Sequence, residues 1–428
     1  MLTNWAGNIE FRAERVHRPQ TVAELRELVA ASAGVRALGT GHSFNRIADT
    51  PADLVSVAGL PRVIEIDTAA ATVTVSAGLR YAEVAERLNQ AGYALPNLAS
   101  LPHISIAGAC ATGTHGSGDR NGGLATAVAA LRIVGPGGEP AELSRRDDPE
   151  RFPGAVVGLG AFGVVTELTL ELLSSFEVAQ YVYEGLALDV LAERFDAVFG
   201  AAYSVSVFTN WADGDGAVWL KTRHESGEGA PQSLLDVLGP KWLGARPADG
   251  PRHPIPGMPA GFCTVQGGVP GPWHERLPHF RPDFTPSSGE ELQSEFLLPR
   301  AAAPQAIAAL RGLADRIAPV LQISELRTIA ADDLWLSPAY GRDSVAFHFT
   351  WVADTEAVTP VLAAVEERLM PLGARPHWGK LFTTPPQQLA DQYERWDDFR
   401  RLLLAQDPEG TFRNAFVDSL FPSLRSSD

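Results

Sequence analysis

The chain carries Gly39-Thr40-Gly41-His42-Ser43-Phe44-Asn45 directly after a short apolar segment, residues 35–38, that is typical of a β-strand. Glycines leave the backbone amides of such a loop open to a ligand and allow the histidine ring to approach it closely. Most isolated histidines have a structural role, so this loop alone is a weak sign of a binding site. A second segment of the chain strengthens it.

That second segment spans residues 102–118 and consists mainly of small side chains, hydroxyls and glycines. It reads Pro102-His103-Ile104-Ser105-Ile106-Ala107-Gly108 and continues with Ala109-Cys110-Ala111-Thr112-Gly113-Thr114-His115-Gly116-Ser117-Gly118. Successive backbone amides of such a loop can surround a pyrophosphate as an anion nest, without the help of a helix. The alternative is a surface glycine loop that binds nothing, and the length of the run argues against it.

A third glycine motif, Gly158-Leu159-Gly160-Ala161-Phe162-Gly163, matches the dinucleotide-binding pattern. That pattern binds a pyrophosphate only when it follows a strand and opens a helix, because the helix N-terminus supplies the amides. Residues 164–170 are instead an alternating run rich in β-branched side chains, which predicts a strand. The sequence therefore argues against a nicotinamide cofactor here and predicts a tight turn that leads into a strand.

The order of predicted elements in the first part of the chain indicates an α+β fold. Residues 21–24 form a capping box that opens a short helix, and a second helix is expected at residues 81–91. Hairpins are expected within residues 63–75 and 131–143, followed by a strand at residues 164–172. This order lacks the regular strand–helix alternation of a doubly wound sheet.

The composition changes after about residue 175. Residues 226–261 are crowded with glycine and proline and have weak periodicity, which predicts a long surface excursion. Beyond residue 290 the pattern returns to strands separated by helices. The strands are expected at residues 292–297, 321–329 and 345–352, and the helices at residues 304–317 and 358–370.

Length and charge restrict the class of protein. At 428 residues the chain exceeds the size of about 250–300 residues at which a single hydrophobic core stops growing. Its formal net charge of −16 repels phosphate backbones and anionic lipids, so neither nucleic acid nor a membrane is an expected partner. The N-terminus shows no secretory signal and no apolar run is long enough to span a bilayer, which predicts a cytoplasmic protein.

The two cysteines, Cys110 and Cys263, lie far apart and fit neither a disulfide framework nor a zinc motif. We therefore expect both to be reduced and buried, as free cysteines usually are. We also expect a monomer without a metal site.

Three of the predicted strands each place a pair of polar side chains on one face. Residues two apart in a strand point to the same side of the sheet, and these pairs stand among apolar neighbours. Such pairs either surround a polar cavity or face water, as one side of an antiparallel sheet often does, and the pattern alone leaves both possibilities open. The pairs are Glu325 with Arg327, His348 with Thr350, and Gln293 with Glu295.

Together these motifs resemble the vanillyl-alcohol oxidase type of FAD enzymes, and within it the bacterial alditol oxidases. The resemblance covers nearly the whole chain. Residues 375–380 also recur in aldonolactone oxidases, whereas their combination with Glu325 and Arg327 is similar to the alditol branch. The most specific pieces are Gly41-His42-Ser43-Phe44, Leu101-Pro102-His103-Ile104-Ser105, Thr112-Gly113-Thr114-His115-Gly116, Glu325-Leu326-Arg327-Thr328 and Arg375-Pro376-His377-Trp378-Gly379-Lys380.

The resemblance implies an α+β fold of two domains. The first is an FAD-binding domain of the vanillyl-alcohol oxidase type, also called PCMH-like, at residues 1–175. The second is a substrate-binding cap domain with an antiparallel sheet at residues 176–375. Residues 376–428, which include Asn414 and Phe416, would return to the FAD domain.

The resemblance also implies a covalent FAD, attached through the ring of His42 to the 8α-methyl group of the isoalloxazine. His103 and His115 are expected to be structural or to contact the flavin rather than to be catalytic. The implied cofactor-binding residues are Gly39, Thr40, Gly41, His42, Ser43, Ser100, His103, Ser105, Gly108, Thr112, Gly113 and His115.

The implied reaction is oxidation of the terminal hydroxyl of an alditol, such as xylitol or sorbitol, to the aldose. A hydride would pass to flavin N5, and molecular oxygen would be reduced to hydrogen peroxide. Arg327 and Lys380 are the implied catalytic residues because cations beside the reacting oxygen favour an alkoxide. The proton acceptor stays open, with Lys380 as first choice. The implied substrate-binding residues are Ser100, Gln293, Glu325, Arg327, His348, Thr350 and Lys380.

Two alternatives stand beside this interpretation. The first keeps the fold and assigns an aldonolactone oxidase or dehydrogenase. The second is a flavin-binding protein without enzymatic activity, against which the polar pairs on the predicted strands argue mildly.

Overall fold

The computed structural model describes residues 2–225, 233–283 and 290–422. Several 3₁₀ turns connect its elements. Within these residues the strands are β1 (Arg15–His17), β2 (Val35–Leu38), β3 (Asp53–Ser56), β4 (Ile64–Asp67), β5 (Thr72–Ser76), β6 (Tyr93–Ala94), β7 (Val128–Val134), β8 (Pro140–Ser144), β9 (Val164–Glu171), β10 (Leu173–Ser174), β11 (Phe176–Ala187), β12 (Ser204–Thr209), β13 (Asp215–Glu225), β14 (Arg246–Pro247), β15 (Gly271–Pro272), β16 (Glu291–Pro299), β17 (Leu321–Ile329), β18 (Ser344–Val352) and β19 (Arg375–Pro376). The α-helices are α1 (Val22–Ala31), α2 (Tyr81–Gln90), α3 (Ile106–Ala111), α4 (Phe152–Val156), α5 (Leu188–Glu193), α6 (Phe195–Phe199), α7 (Leu234–Leu238), α8 (Ala303–Arg311), α9 (Ala314–Ile317), α10 (Thr355–Leu369), α11 (Pro386–Ala390), α12 (Trp396–Gln406) and α13 (Ala415–Leu420).

Two sheets form the N-terminal part of the molecule. β1, β3 and β2 pair in parallel in that order, and β2 ends directly before residues 39–45. The second sheet is antiparallel and has the order β4-β5-β9-β7-β8. Both predicted hairpins, β4 with β5 and β7 with β8, are confirmed. The mixture of parallel and antiparallel pairing with helices confirms the α+β class.

Capping side chains set the start of two helices. Thr21 caps α1, because its hydroxyl accepts a hydrogen bond from the Glu24 N–H at 3.1 Å. Asp354 caps α10 by accepting from the Ala357 N–H at 3.0 Å. α10 therefore begins at Thr355, three residues before the start that its apolar periodicity predicts.

Two sequence expectations are corrected. The helix predicted at residues 304–317 is divided into α8 and α9, because Leu313, directly after Gly312, leaves helical geometry at φ −108° and ψ 3°. Glycine favours such a break, since it costs about 1 kcal/mol relative to alanine inside a helix. The segment at residues 102–118, expected to be a loop throughout, contains the six-residue helix α3.

The glycine motif at residues 158–163 is a turn that leads into β9, as predicted. Gly160 and Gly163 adopt φ values of +68° and +139°, which glycine tolerates best. A Cβ added at Gly163 would also lie 2.5 Å from Ile133 Cγ2 and 2.6 Å from Val134 O. The motif therefore allows close backbone approach and opens no helix.

A nine-stranded sheet dominates the second half of the described chain. Its order is β14-β11-β13-β12-β17-β18-β16-β19, with β15 also paired to β11, and the pairings are antiparallel. The predicted antiparallel cap sheet is thus present. Helices α5, α8 and α10 pack on one face of this sheet and form a hydrophobic core with it.

Two large hydrophobic cores lie in the described residues. One lies under the N-terminal sheets, and the C-terminal residues Phe412, Val417 and Leu420 belong to it. The other is the core between the large sheet and its helices. Asn414 ties the end of the chain to the N-terminal part, since its side-chain amide donates to Asp49 O at 2.7 Å. Cys110 and Cys263 are free and buried, as expected.

Residues 226–232 of the predicted surface excursion lie outside the described residues. The remainder, residues 233–261, contains α7, β14 and short turns, and most of its side chains are exposed or half-buried. The prediction of a weakly structured surface segment is confirmed for this part. No helix in the described ranges combines the length and apolarity that crossing a membrane requires.

Candidate active site

A cavity of about 280 Å³ opens between the N-terminal sheets and the large sheet. Four parts of the chain supply most of its lining: residues 36–48, residues 99–115, one face of the large sheet, and residues 377–380. Pro254, Ile255 and Phe280 from the surface excursion and the segment after it add apolar side chains to the lining. Both polar and apolar groups therefore face the same space.

The loop that follows β2 is hydrogen-bonded to residues 379 and 380 at its C-terminal end, whereas the backbone amides of residues 40–43 make no such bonds. The Phe44 N–H donates to Gly379 O at 2.7 Å, and the Asn45 side chain donates to Lys380 O at 2.7 Å. The backbone N–H groups of residues 40–43 donate to no other residue that the structure describes. Gly41 makes the turn at φ +71°. Successive free amides in a cavity wall are suited to bind an anion.

His42 lies in this loop with its ring stacked on the indole of Trp5. The ring centroids are 4.8 Å apart and the planes are inclined by 17°. His42 Nδ1 also lies 3.2 Å from Thr40 Oγ1. Burial, aided by the charges of His103 and Arg80, lowers the pKa of His42 to about 4, so the ring is neutral at neutral pH. A neutral imidazole keeps a nitrogen lone pair with which it can form a bond.

The small residues of the second segment bring its backbone against the first loop. A Cβ added at Gly39 would lie 2.2 Å from Ser105 Oγ, and one added at Gly108 would lie 2.9 Å from the same atom. The Ser105 N–H donates to Thr40 Oγ1 at 3.2 Å. A larger side chain at Gly39 would therefore separate the two segments, and one at Gly108 would displace Ser105 within the second segment.

This half of the cavity fits an FAD. The free amides of residues 40–43 suit its phosphates, and the small side chains of α3 leave room beside them. The neutral ring of His42 stands in the same wall, where an isoalloxazine could contact it. Small side chains and free amides are the features that a dinucleotide cradle requires.

The face of the large sheet that lines the cavity carries its polar side chains in register. Glu295 of β16 pairs with His348 of β18, which pairs with Glu325 of β17, so the three form one row. In the next row Gln293 pairs with Thr350. Residues directly opposite each other in neighbouring strands are close enough to interact. All six side chains of the predicted polar pairs line the cavity, so they surround a polar space instead of facing bulk water.

Glu295 is the centre of a buried charged cluster. Its carboxylate lies 2.7 Å from Arg327 Nη2, 2.7 Å from Lys380 Nζ and 3.3 Å from His115 Nε2. Burial raises the pKa of Glu295, but the charges of Lys380, His115 and Arg327 outweigh that effect and bring the pKa well below its ordinary value. Glu295 is therefore ionised and holds both cations at the cavity wall.

Lys380 joins this cluster to the central strand. Its Nζ donates to His348 Nδ1 at 2.8 Å, and His348 Nε2 lies 3.1 Å from Thr350 Oγ1. Burial and then the charge of Lys380 lower the pKa of His348 to about 3, so this ring is neutral. Burial also lowers the pKa of Lys380, although the Glu295 carboxylate opposes the shift.

The second carboxylate, Glu325, stands on the other side of Arg327. Glu325 Oε1 lies 2.8 Å from His279 Nε2 and 3.6 Å from Arg327 Nε. Burial raises the pKa of Glu325, but the charge of Arg327 and the hydrogen bond from His279 outweigh this effect and hold the pKa below its ordinary range. The Arg327 guanidinium also donates to Ser100 Oγ at 3.3 Å, which connects the sheet to residues 99–115.

The structure brings most of the predicted site residues to this cavity. His103 and Gly113 do not line it: His103 Nε2 lies 2.8 Å from Pro282 O, and Gly113 packs against Pro338. The predicted residues that line it are Gly39, Thr40, Gly41, His42, Ser43, Ser100, Ser105, Gly108, Thr112, His115, Gln293, Glu325, Arg327, His348, Thr350 and Lys380.

Several cavity residues are absent from the set that the sequence predicts. Strand alternation does place Glu295 on the same face as Gln293, but the resemblance implies no role for it in the site. His279 follows a segment of weak periodicity, and Trp5 lies near the N-terminus, so neither carries a sequence signal. His377 lies in the motif at residues 375–380 and also lines the cavity.

Comparison with known proteins agrees with this geometry. A family model described as an FAD binding domain matches residues 13–144, and one described as D-arabinono-1,4-lactone oxidase matches residues 290–420. An alditol oxidase from a Streptomyces species is 52% identical over 423 residues, which cover 98% of each chain. An L-gulono-1,4-lactone dehydrogenase from Mycobacterium tuberculosis is 29% identical over 97% of each chain.

The fold recurs in a solved structure of cholesterol oxidase from B. sterolicum. The TM-score is 0.76 over 98% of this chain and 96% of that one, although the sequence identity is 16%. This likeness, with the FAD-binding domain match, confirms the vanillyl-alcohol oxidase type of fold. The near-complete match to a relative at 52% identity decides the family. The chain belongs to the alditol oxidase family of FAD-dependent oxidoreductases.

Proposed function

We propose that the protein oxidises the terminal hydroxyl of alditols such as xylitol and sorbitol to the aldose. The observation that carries the proposal is the row of buried hydrogen-bonding side chains, Glu295, His348 and Glu325, which lines the same cavity as the free amides of residues 40–43. A polyol offers only hydroxyl groups, so its recognition needs such a row of donors and acceptors. The 52% identical alditol oxidase supports the same substrate class.

Bound FAD supplies the chemistry: it accepts a hydride from the carbinol carbon, and molecular oxygen then takes up the two electrons to give hydrogen peroxide. The side chains at the cavity bind and orient the polyol. Carboxylates accept hydrogen bonds from its hydroxyls, while guanidinium and ammonium groups donate to its oxygens. We propose that the residues that bind it are Ser100, Gln293, Glu325, Arg327, His348, Thr350 and Lys380.

Arg327 and Lys380 stabilise the oxygen from which the proton leaves. Both cations are fixed by one carboxylate, Glu295, at 2.7 Å each, so they are oriented before the substrate binds. Preorganised donors of this kind act more strongly in a cavity that excludes water.

We propose that Lys380 accepts the proton when its side chain is in the neutral form, and that the ammonium group so formed is the cation that stands beside the substrate oxygen together with Arg327. Burial lowers the pKa of Lys380, which makes its neutral form accessible, and the neutral ring of His348 accepts a hydrogen bond from it. Positioned proton transfer contributes about 10²–10⁴-fold to the rate of such reactions.

We also propose that the ring of His42 bonds covalently to the 8α-methyl carbon of FAD. The stacking on Trp5 fixes the ring, and burial keeps it neutral. Bond formation removes one hydrogen from the methyl group and one from the ring nitrogen, and molecular oxygen takes up these two protons with two electrons. Of the cofactor-binding residues implied by the sequence, we retain those that line the cavity.

For the whole chain we propose an FAD-binding domain at residues 1–175, a cap domain at residues 176–375, and a C-terminal segment that returns to the first domain. The two hydrophobic cores and the contacts of Asn414 support this division. The monomeric state and the cytoplasmic location stay predictions from the sequence.

A steady-state comparison of substrates tests the proposal. Purified yellow protein is supplied with xylitol, sorbitol, L-gulono-1,4-lactone and D-arabinono-1,4-lactone in air, and hydrogen peroxide is measured. We expect the alditols to give the higher kcat/KM. A higher kcat/KM for a lactone would favour the aldonolactone alternative. The match of residues 290–420 to the D-arabinono-1,4-lactone oxidase family model is the reason to test it. Protein whose flavin no alcohol or lactone reduces would be a flavin-binding protein without this activity.

A further inference from the structure

Behind Glu325 lies a buried pair, Lys221 and His279, to which the proposed reaction gives no role. Lys221 projects from β13 and is 1% exposed, and His279 is 4% exposed. Lys221 Nζ lies 3.2 Å from His279 Nδ1 and 3.1 Å from Pro278 O, and it also donates to Leu277 O. Within the described ranges no carboxylate lies within salt-bridge distance of Lys221, and a buried lysine without one is costly, so its contacts call for an explanation.

The contacts of Lys221 determine which nitrogen of His279 carries the proton. An ammonium group has three N–H donors and no acceptor. Its three neighbours are two carbonyl oxygens and His279 Nδ1, so Nδ1 must be the unprotonated nitrogen of the ring. Burial lowers the pKa of Lys221 to about 7 and that of His279 to about 4. Near pH 6 the lysine is therefore charged and the histidine is neutral.

The other end of the ring agrees with this assignment. His279 Nε2 lies 2.8 Å from Glu325 Oε1, and Arg327 keeps that carboxylate ionised. An ionised carboxylate only accepts hydrogen bonds, so Nε2 must carry the proton and donate it. Glu325 Oε2 receives no hydrogen bond from any residue within the described ranges, and Glu325 lines the cavity.

We propose that Lys221 and His279 are positioning residues that hold Glu325 as a hydrogen-bond acceptor, so that Oε2 selects a substrate hydroxyl. Lys221 fixes the tautomer of His279, and His279 occupies and orients Oε1. Without them the carboxyl group can rotate or take up a proton and donate instead. The identity of the substrate rests on the proposed function, whereas the arrangement of the three side chains does not.

The first test requires no substrate. Two-bond ¹H–¹⁵N spectra of the holoenzyme labelled with ¹⁵N-histidine are recorded at pH 6, and His279→Gln identifies the signal of His279. We expect the Nε2–H tautomer in the wild type and a change of tautomer, or a mixture, in Lys221→Met. An Nδ1–H tautomer in the wild type, or a Lys221→Met spectrum identical to it, would overturn the proposal.

The second test measures selectivity. kcat/KM is determined for xylitol and for its monodeoxy analogues with the wild type, His279→Leu and His279→Gln. The matched control is His253→Gln, because His253 contacts Ile255 and Phe280 but not Glu325. We expect the wild type to discriminate strongly against one analogue, since a site built for a hydroxyl can reject its absence by about 10⁴–10⁵-fold.

In His279→Leu we expect the ratio of kcat/KM for xylitol to kcat/KM for that one analogue to fall at least tenfold, which is about 1.4 kcal/mol. The same ratios for the analogues that lack the other hydroxyls should stay unchanged. His279→Gln should restore part of the first ratio, because its amide can donate to Oε1. An equal loss for every substrate would show a merely structural role and overturn the proposal. If the wild type oxidises no alditol, the proposed function fails, and the tautomer measurement still decides the inference.

Discussion

At the scale of single residues, the balance of charge around Glu295 explains how two cations remain in a buried wall. Breaking a buried ion pair by removing one partner costs about 3–5 kcal/mol, because the remaining charge is left without compensation. Glu295 compensates Arg327 and Lys380 together, and Glu325 adds a second negative charge beside Arg327. The cavity can therefore present positive charge to a substrate oxygen without a net excess of charge.

Lys380→Met tests the role of one of these cations. The variant keeps the length of the side chain but loses the ammonium group, so we expect flavin reduction by xylitol to slow by about 10²–10⁴-fold. FAD content should stay unchanged, and stopped-flow absorbance measures the rate. Lys241→Met, at an exposed lysine, is the matched control and should reduce normally. A normal reduction rate with lost FAD would contradict the assignment.

His42→Ala tests the covalent attachment. We expect the denatured wild-type polypeptide to carry the mass of FAD and the variant polypeptide to lack it, because no other ring nitrogen replaces the one removed. Mass spectrometry of the acid-precipitated protein measures this. His17→Ala, at a histidine bound to Asp53 and away from the cavity lining, should keep the flavin mass. Flavin still bonded to the His42→Ala chain would refute the proposal.

At the scale of elements, strand alternation predicts much of the substrate wall. The expected strand at residues 321–329 coincides with β17, and the polar pairs on β16, β17 and β18 all face the cavity. The contacts that couple those pairs could not be predicted. Glu295 meets His115 from a distant segment, and His279 enters from beyond the surface excursion. Only the folded chain brings such residues together.

The glycine turn before β9 gives an element-scale prediction. Gly163→Ala should destabilise the protein more than Gly185→Ala, although both glycines have positive φ. Neither φ value, +139° at Gly163 or +80° at Gly185, suits an L side chain, so both variants strain the backbone. At Gly163 the added Cβ also meets Ile133 and Val134, whereas nothing lies within 4 Å at Gly185. Urea denaturation measures the difference, and equal losses would contradict the packing argument.

At the scale of the whole molecule, buried neutral histidines couple stability to pH. The pKa values of His279 and His348 are lowered by burial to about 4 and about 3, and that of His377 lies well below its ordinary value for the same reason. Between about pH 4 and 6.5 the unfolded chain therefore binds more protons than the folded one. The free energy of unfolding should fall as the pH falls through this range.

Each proton that differs between the two states contributes about 1.4 kcal/mol per pH unit. Burial raises the pKa of Asp332 to about 6 and also raises the pKa values of Asp215, Glu366 and Asp407, so these four groups act in the opposite direction. Burial lowers the pKa values of His253 and His274 as well, so five histidines oppose these four carboxyl groups. Urea denaturation at several pH values measures the slope, which His348→Gln should reduce. Stability that is constant or rises as the pH falls would contradict this account.

Anaerobic mixing of the holoenzyme with xylitol tests the central claim most directly, because it follows hydride transfer without any later step. We predict that one equivalent of xylitol bleaches the yellow absorbance of one equivalent of bound flavin. Admission of oxygen should then restore the colour and release one equivalent of hydrogen peroxide. A flavin that stays oxidised in the presence of xylitol, sorbitol and other alditols would contradict the assignment of this cavity to alditol oxidation.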